Sequence, residues 1–462
     1  MTSRKIHLPV AGASSLHADG RRNWVHPADV KGRFVRARYV VFALLIGIWA
    51  ALPWIQIGGH PALYLDVARR RFYLFGGTFN AQDFWLVFFL LTGLALLLLV
   101  VTTVLGRVWC GWACPQTVFL EGVYRRIERL VEGPRNKRIA RNAAPLTFDK
   151  LWRKVVKHAL FVLASLVVSH IFLSFFVSMP SLLEMVRSSP AEHPTAFAWM
   201  VAMSAIFYGN FAWFREQLCL IVCPYGRLQS VMTDKDTLVV GYDAKRGEPR
   251  GKASDPNAGD CVDCKRCVVV CPTGIDIRNG LQLDCIGCTA CIDACDEVMD
   301  KLGRPRGLVR YDSQAALEGG TRRILRPRLA LYGAVIAAWG LAAFFALRTH
   351  DPFEASLVRL RGAPYHVVDG TVRNLFSVHV VNKGGEPATF TIEGEAEDDV
   401  AVRIGQPEIE LGSLEDGAVA VYVDTPADGF RTGRVARIRV RREGDPEDAA
   451  RVLEAPILGP RR

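Results

Sequence analysis

Residues 261–272 read Cys261-Val-Asp-Cys264-Lys-Arg-Cys267-Val-Val-Val-Cys271-Pro272, and residues 285–295 repeat the spacing as Cys285-Ile-Gly-Cys288-Thr-Ala-Cys291-Ile-Asp-Ala-Cys295. In such runs the first three cysteines wrap one cubane and the fourth reaches its neighbour, so eight thiolates at this double spacing predict two adjacent [4Fe-4S] clusters. The expected ligand sets are Cys261, Cys264, Cys267 and Cys295 for one cluster, and Cys271, Cys285, Cys288 and Cys291 for the other. A pair of this kind passes single electrons. A disulfide framework or two zinc ribbons would leave the repeated third and fourth cysteine unexplained.

Outward from these runs the chain is unusually apolar, half of its 462 residues being hydrophobic. The excess falls in five stretches, roughly 38–57, 84–105, 155–179, 195–218 and 329–347, each near the length that spans a bilayer's hydrocarbon. The expected class is therefore a multi-domain membrane protein built on a five-helix transmembrane bundle. The polar segment 1–37 is long for a cleaved signal and shows no small-residue cleavage site, so the first crossing is expected to remain as an anchor.

Loop charge sets the expected orientation, because basic loops stay on the cytoplasmic side. Residues 106–154 carry eleven Lys or Arg, including Arg125, Arg126, Arg129, Arg135, Lys137, Arg138 and Arg141, whereas 180–194 carries only Arg187. This places 1–37, the loop 106–154 inside the four-crossing region 38–215, and the segment 216–328 in the cytoplasm, with 350–462 outside. Arg69, Arg70 and Arg71 oppose that orientation but are outnumbered. From 351 onward there are fourteen basic and twenty acidic residues, a local −6, so the remainder carries about +17 of the net +11. Topology accounts for that excess. No recognisable nucleic-acid module accompanies it, and no nucleic-acid partner is expected. All twelve cysteines precede residue 300, on the side where thiols stay reduced.

The four remaining cysteines repeat a second motif. Cys110-Gly-Trp-Ala-Cys114-Pro115 closes the second apolar stretch and Cys219-Leu-Ile-Val-Cys223-Pro224 closes the fourth. Spacing of four predicts both thiols of each pair on one helical face, with the proline interrupting the helix. Both crossings run inward, so the four thiols are expected at one depth, facing the clusters. They suit a soft ion such as Cu(I), a further cluster, or disulfide exchange, and spacing leaves these open. Packing between helices is the plain alternative. Haem would need axial histidines on different crossings, but His158 and His170 share the third, about 18 Å apart along a helix. His60 and His193 read as loop residues.

Within the cytoplasmic segment, 216–254 reads as a polar lead-in with a Gly/Pro/Arg linker, 255–300 as the ferredoxin-like domain, and Arg322, Arg323, Arg326 and Arg328 as a membrane-surface anchor. Beyond 350 the pattern has period two. Phe376, Val378 and Val380 alternate with polar neighbours, as do Val419, Val421 and Val423, then 435–440, between turns at 383–385 and 426–429. An immunoglobulin-like β-sandwich is expected, acting as a docking module or cap.

Several stretches together carry a family resemblance: Arg107-Val-Trp-Cys-Gly-Trp-Ala-Cys-Pro-Gln-Thr-Val-Phe, Cys223-Pro-Tyr-Gly-Arg-Leu-Gln-Ser, Arg246-Gly-Glu-Pro-Arg-Gly and Gly307-Leu-Val-Arg-Tyr-Asp. Over nearly its whole length the chain resembles the bacterial cytochrome c oxidase accessory protein family, also called FixG-like or CcoG. The resemblance implies an inner-membrane protein with five spans, a cytoplasmic two-cluster ferredoxin domain and a periplasmic immunoglobulin-like domain. It implies a role in assembly of cbb-type cytochrome c oxidase, by reducing Cu(II) to the Cu(I) that assembly factors or a copper transporter handle. On that reading copper meets Cys110, Cys114, Cys219 and Cys223, the clusters are fed by a cytoplasmic electron donor, and membrane lipid surrounds the bundle. Alternatives are a quinol-linked electron carrier and a non-enzymatic assembly scaffold. Asp296 stands where a proline often follows the last ligand, and Gly226 where a small residue is expected.

Overall fold

The computed structural model describes residues 24–460 except 58–59, 68–70, 81–83, 349–351, 361, 385, 396–398, 414, 429 and 432. Residues 1–23 of the N-terminal segment, Arg69, Arg70 and the turn residues Gly385 and Gly429 thus lie outside the described residues. Among the described residues five helices are long and apolar enough to cross a membrane: Arg33–Ala51, Trp85–Leu105, Phe148–Leu173, Pro194–Phe214 and Pro327–Arg348.

Two of these are displaced from the apolar stretches, for physical reasons. The first starts five residues earlier than residue 38 because the Asp293 carboxylate accepts hydrogen bonds from the Phe34 and Val35 amides, at 3.3 and 2.7 Å, satisfying donors that a helix start leaves open. It ends before the short antiparallel pair Gln56–Ile57 and His60–Pro61. The third starts at Phe148, where Thr147 caps the Lys150 amide at 3.3 Å, so Lys154 and Lys157 belong to the helix. Their ammonium groups reach Glu132 at 2.8 and 3.1 Å.

The second crossing carries no charge, and its polar side chains are satisfied within the helix. The Thr102 and Thr103 hydroxyls donate to the Leu98 and Leu99 carbonyls at 2.7 and 2.9 Å, as apolar surroundings require. Trp339 of the fifth crossing donates to the Thr92 hydroxyl at 3.0 Å and lies over Gly93, where any side chain would collide with its ring.

Residues 106–154, expected as a loop, are largely helical, with Arg125–Glu132 and Arg135–Ala143 the longer pieces. Arg125, Glu128, Glu132 and Arg138 on them are buried. Glu128 binds Arg215 at 2.6 Å and Arg138 at 3.3 Å, while Arg125 binds Glu216 at 3.1 Å and also Glu121. This network joins the basic segment to the end of the fourth crossing.

The ferredoxin-like part is closed by an antiparallel pair, Leu238–Tyr242 with Val309–Ser313, and by the helix Ala290–Lys301. Val240, Ile275, Ile277, Ile292, Met299 and Leu308 form its apolar core. The first of these strands lies within the expected polar lead-in.

The C-terminal part is an immunoglobulin-like sandwich of two antiparallel sheets. One orders Ala401–Ile404, Asp416–Pro426, Thr371–Asn382 and Phe353–Arg359; the other orders Glu408–Leu411, Ala388–Glu395, Val435–Arg442 and Arg451–Pro456. The alternating residues face inward as the pattern predicts: Phe376 pairs with Val421 and Val378 with Val419, and all four are buried. On 435–440 the inward set is Ala436, Ile438 and Val440.

Candidate functional site

The two cysteine runs wrap loops whose backbone turns repeatedly into the left-handed region, at Asp263, Lys265, Gly287 and Thr289. Such turns let closely spaced thiols point at one centre. One void is walled by Cys271, Cys285, Cys288 and Cys291 together with Cys267; a second is walled by Cys261, Cys264, Cys267 and Cys295. The structure therefore gathers each expected set of four around its own void, with Cys267 bordering both.

The donor chemistry fits clusters better than single ions. Burial pushes the Cys267, Cys288 and Cys295 thiols up to about 12, so an apolar wall of thiolates needs a cationic core to exist. Among the described residues no three Cys, His, Asp or Glu side chains converge tightly enough to bind one metal ion. Thiols that ring a void suit the corners of a four-iron cube, whereas tetrahedral zinc draws its ligands onto one point. The Arg278 guanidinium braces the first run by donating to Asp276 at 2.7 and 2.8 Å and to Asp263. Asp296 lies inside the helix Ala290–Lys301, and its carboxylate accepts from the Gly307 amide at 3.0 Å, a bond a proline would forfeit.

The paired motifs depart from their expected form. Gly106, at φ +60°, ends the second crossing at Leu105, and Arg215, at φ +53°, follows the end of the fourth, so both pairs lie beyond the membrane-crossing helices. Nor do the thiols of a pair share one helical face. Cys110 sits in the short helix Val108–Trp112, while Cys114 is extended, at φ −60° and ψ 126°, and precedes the next helix, Pro115–Phe119. Cys219 lies in the wide turn Leu218–Val222, and Cys223 is extended ahead of Pro224–Met232. Proline cannot donate its nitrogen to the preceding turn and forces the residue before it out of helix, which separates each pair. The two motifs are nevertheless stapled together. Gln116 and Asn210 exchange amide hydrogen bonds at 2.7 and 3.3 Å, and Gln116 donates to the Arg215 carbonyl at 2.9 Å.

All four thiols are partly buried and unpaired by disulfides. Burial pushes Cys110 up to about 11 against a hydrogen bond from Gln229, and Cys219 up to about 12, with the charges of the other three thiols adding to the rise. Burial also raises Cys114, although the Gln116 and Thr117 amides at the following helix start favour its thiolate. The four thiols are close enough to sense one another's charge.

These motifs abut the second cysteine run. Cys110 packs against the buried cluster formed by Val270, Ile286, Cys288, Ala290 and Ala294. A methyl on Gly111 would sit 2.7 Å from the Gly287 carbonyl oxygen, so only glycine permits this approach. Arg107 donates to the Cys285 carbonyl at 3.0 Å and the Gly226 carbonyl at 3.2 Å, linking both motifs to a cluster loop. Trp112 donates to the Tyr311 hydroxyl at 3.2 Å, which donates to the Gly287 carbonyl at 3.0 Å. Gly226 stands where a Cβ would meet the Cys219 carbonyl at 3.0 Å, which explains the small residue.

Sequence reasoning did not single out Gln229, Arg107, Tyr311 or Asp293. The first three lie inside the stretches that carry the resemblance, which was the available signal. Gln229 is fully buried and donates to the Cys110 sulfur at 3.3 Å. His158 bonds the Tyr208 hydroxyl at 2.9 Å, and His170 bonds the Leu166 carbonyl at 2.8 Å.

Comparison with known proteins agrees with this arrangement. Residues 214–314 match the model of a 4Fe-4S dicluster domain, residues 85–134 that of a 4Fe-4S binding domain, and residues 343–459 that of the Ig-like fold at the C-terminus of FixG. The chain is 38% identical to Protein RdxB of Cereibacter sphaeroides over 449 residues, covering 92% of this chain and 91% of that protein. It is 34% identical to Protein RdxA of the same organism, covering 92% and 95%, and 37% identical to the nitrogen fixation protein FixG of Rhizobium meliloti, covering 81% and 80%. Five apolar helices, a dicluster domain and an Ig-like C-terminal domain in one chain, shared along most of its length with these relatives, make it a membrane-associated iron-sulfur electron-transfer protein that belongs to the FixG family.

Proposed function

We propose that the chain reduces Cu(II) to Cu(I) at Cys110, Cys114, Cys219 and Cys223, supplying copper for assembly of a cbb-type cytochrome c oxidase. The observation that carries this reading is the packing of Cys110 against the buried cluster that contains Cys288 and Ile286, which sets this thiol beside one cluster loop. Cys261, Cys264, Cys267 and Cys295 would hold one [4Fe-4S] cluster, and Cys271, Cys285, Cys288 and Cys291 the other. When bound, such clusters supply electrons one at a time, and each Cu(II) takes one to become Cu(I). Thiolates favour Cu(I), and the Cys110, Cys114 and Cys219 thiols, raised by burial, release their protons to solvent as the ion binds them. Gln229 holds Cys110 in place by its side-chain amide, and Arg107 fixes the cluster loop against the motifs. In this reading the ferredoxin-like part is cytoplasmic, fed by a cytoplasmic reductant, and the C-terminal domain is periplasmic, beside the oxidase's assembly factors or a copper transporter.

The test is the double variant Cys110→Ser, Cys114→Ser in the full chain. It keeps the cluster absorbance and loses copper reduction; full activity would remove the pairs from the reaction. A second reading is favoured by the 4Fe-4S binding model that covers Cys110 and Cys114: the four thiols hold a further cluster. Iron analysis separates the two, at about eight irons per chain for two clusters against about twelve for three.

A further inference from the structure

Between the start of the first crossing helix and the basic helices that follow the second lies a cavity walled by Arg38, Arg125, Arg126, Arg129 and Arg138, with Glu121 the only acidic residue among the described residues of its wall. Val270, Pro272 and Ala290 of the cluster loops complete the lining. Three of the guanidinium groups are deeply buried: Arg38 is 5%, Arg125 6% and Arg138 3% exposed. Part of their hydrogen-bonding capacity is used. Arg38 Nε donates to the Gly111 carbonyl at 3.0 Å, Arg125 pairs with Glu121 and Glu216, Arg138 with Glu128, and Arg129 with Asp29. Arg126 lies over the Tyr39 ring at 3.6 Å. Yet Arg38 Nη2 and the Nε atoms of Arg125, Arg129 and Arg138 are buried with no hydrogen-bond partner.

Four buried guanidinium nitrogens without a partner, all on side chains that line this cavity, are costly to leave unmet. The five guanidinium groups of the wall meet four carboxylates, Glu121, Glu216, Glu128 and Asp29, and Glu128 also serves Arg215, so the cavity holds more positive charge than its acids balance. A carboxylate offers two oxygens. A phosphate offers more, arranged tetrahedrally, and guanidinium forks match them edge to edge. The first crossing helix forms one wall of the cavity near its start, and a basic cluster beside the end of a crossing helix suits the phosphate of a phospholipid headgroup.

We propose that this arginine cavity binds a phosphate group, carried by a phospholipid headgroup or by a soluble phosphate ester. Because Pro272 follows Cys271 and Ala290 precedes Cys291, an occupant would touch the loops of the second void without touching the paired thiols.

The test uses the full-length chain in detergent, in two arms. Native mass spectrometry reads retained phospholipid, and titration calorimetry with inorganic pyrophosphate reads a soluble ligand, each for the unaltered chain, Arg38→Gln and Arg126→Gln. A phospholipid retained by the unaltered chain and lost in the variants supports the headgroup source. Pyrophosphate binding weakened at least about tenfold in the variants, the loss expected when a charged hydrogen bond is removed, supports the soluble source. Arg126 is only partly buried, so Arg126→Gln serves alone should Arg38→Gln not fold, and Arg126→Lys should recover part of the binding. No retained phospholipid together with no pyrophosphate binding in the unaltered chain, or binding that none of the variants alters, overturns the proposal.

Discussion

Replacing Gly111 by alanine probes the contact on which communication between the paired thiols and the clusters depends. The added methyl would lie 2.7 Å from the Gly287 carbonyl oxygen and 2.8 Å from both the Gly287 carbonyl carbon and the Ile286 carbonyl oxygen, whereas ordinary contact begins at 3.4 Å. The two segments must therefore separate by about 0.7 Å, and the obstructing atoms are all backbone, held by Arg107 and Tyr311. Overpacking of this kind costs about 1–3 kcal/mol. At roughly 2–4 °C per kcal/mol the midpoint for thermal loss of cluster absorbance should fall by about 2–12 °C. Gly47→Ala is the control, since nothing lies within 4 Å of a Cβ there; it should leave the midpoint unchanged or slightly raised, as alanine favours helix. Copper reduction should slow in Gly111→Ala and stay normal in Gly47→Ala. Equal midpoints and equal rates for the two variants would refute the close approach.

Three further outcomes follow from other parts of the molecule. Burial would raise the Glu128 carboxyl, but Arg215, Lys157 and Arg138 outweigh it and hold it down to about 2, below its ordinary 4.5. Its contribution is thus complete above pH 4.5 and lost as pH falls from there toward 2, so Glu128→Gln should cost on the order of 3 kcal/mol at neutral pH and flatten the acid limb of a melting-versus-pH series. Asp293→Ala should cost about 1–2 kcal/mol by uncapping the Phe34 and Val35 amides, read as lower thermal stability with unchanged iron content. Phe390→Ala, in the sandwich core where Phe390 is fully buried, should cost about 3–5 kcal/mol and open the C-terminal domain to proteolysis while leaving the cluster absorbance intact.

The cysteine runs made the iron-sulfur part legible because ligand spacing is local, and the alternating valines did the same for the sandwich, where the side-chain period is two. Local signals fail where distant residues decide an end. The first crossing begins at Arg33 because of Asp293, some 260 positions away, which no hydropathy window contains. The basic stretch 106–154 read as a loop from its charge, yet it forms helices because Glu128, Glu132 and Glu216 neutralise its cations inside the fold. For the paired motifs the spacing pointed to one helical face, but Pro115 and Pro224 act one residue earlier than that reading allowed, drawing Cys114 and Cys223 into extended backbone. Gln229 was hidden for another reason: a glutamine carries no metal-ligand signature, and only its burial beside Cys110 marks it.

The most direct test of the account is rapid mixing of the anaerobically purified, dithionite-reduced chain with Cu(II), following cluster absorbance and Cu(I) formation in the same shot. The account requires cluster reoxidation and Cu(I) formation to share one rate, and both to slow when all four of Cys110, Cys114, Cys219 and Cys223 are replaced by serine. Cu(I) appearing at the unaltered rate in that variant, or clusters reoxidising with no Cu(I) formed, contradicts it.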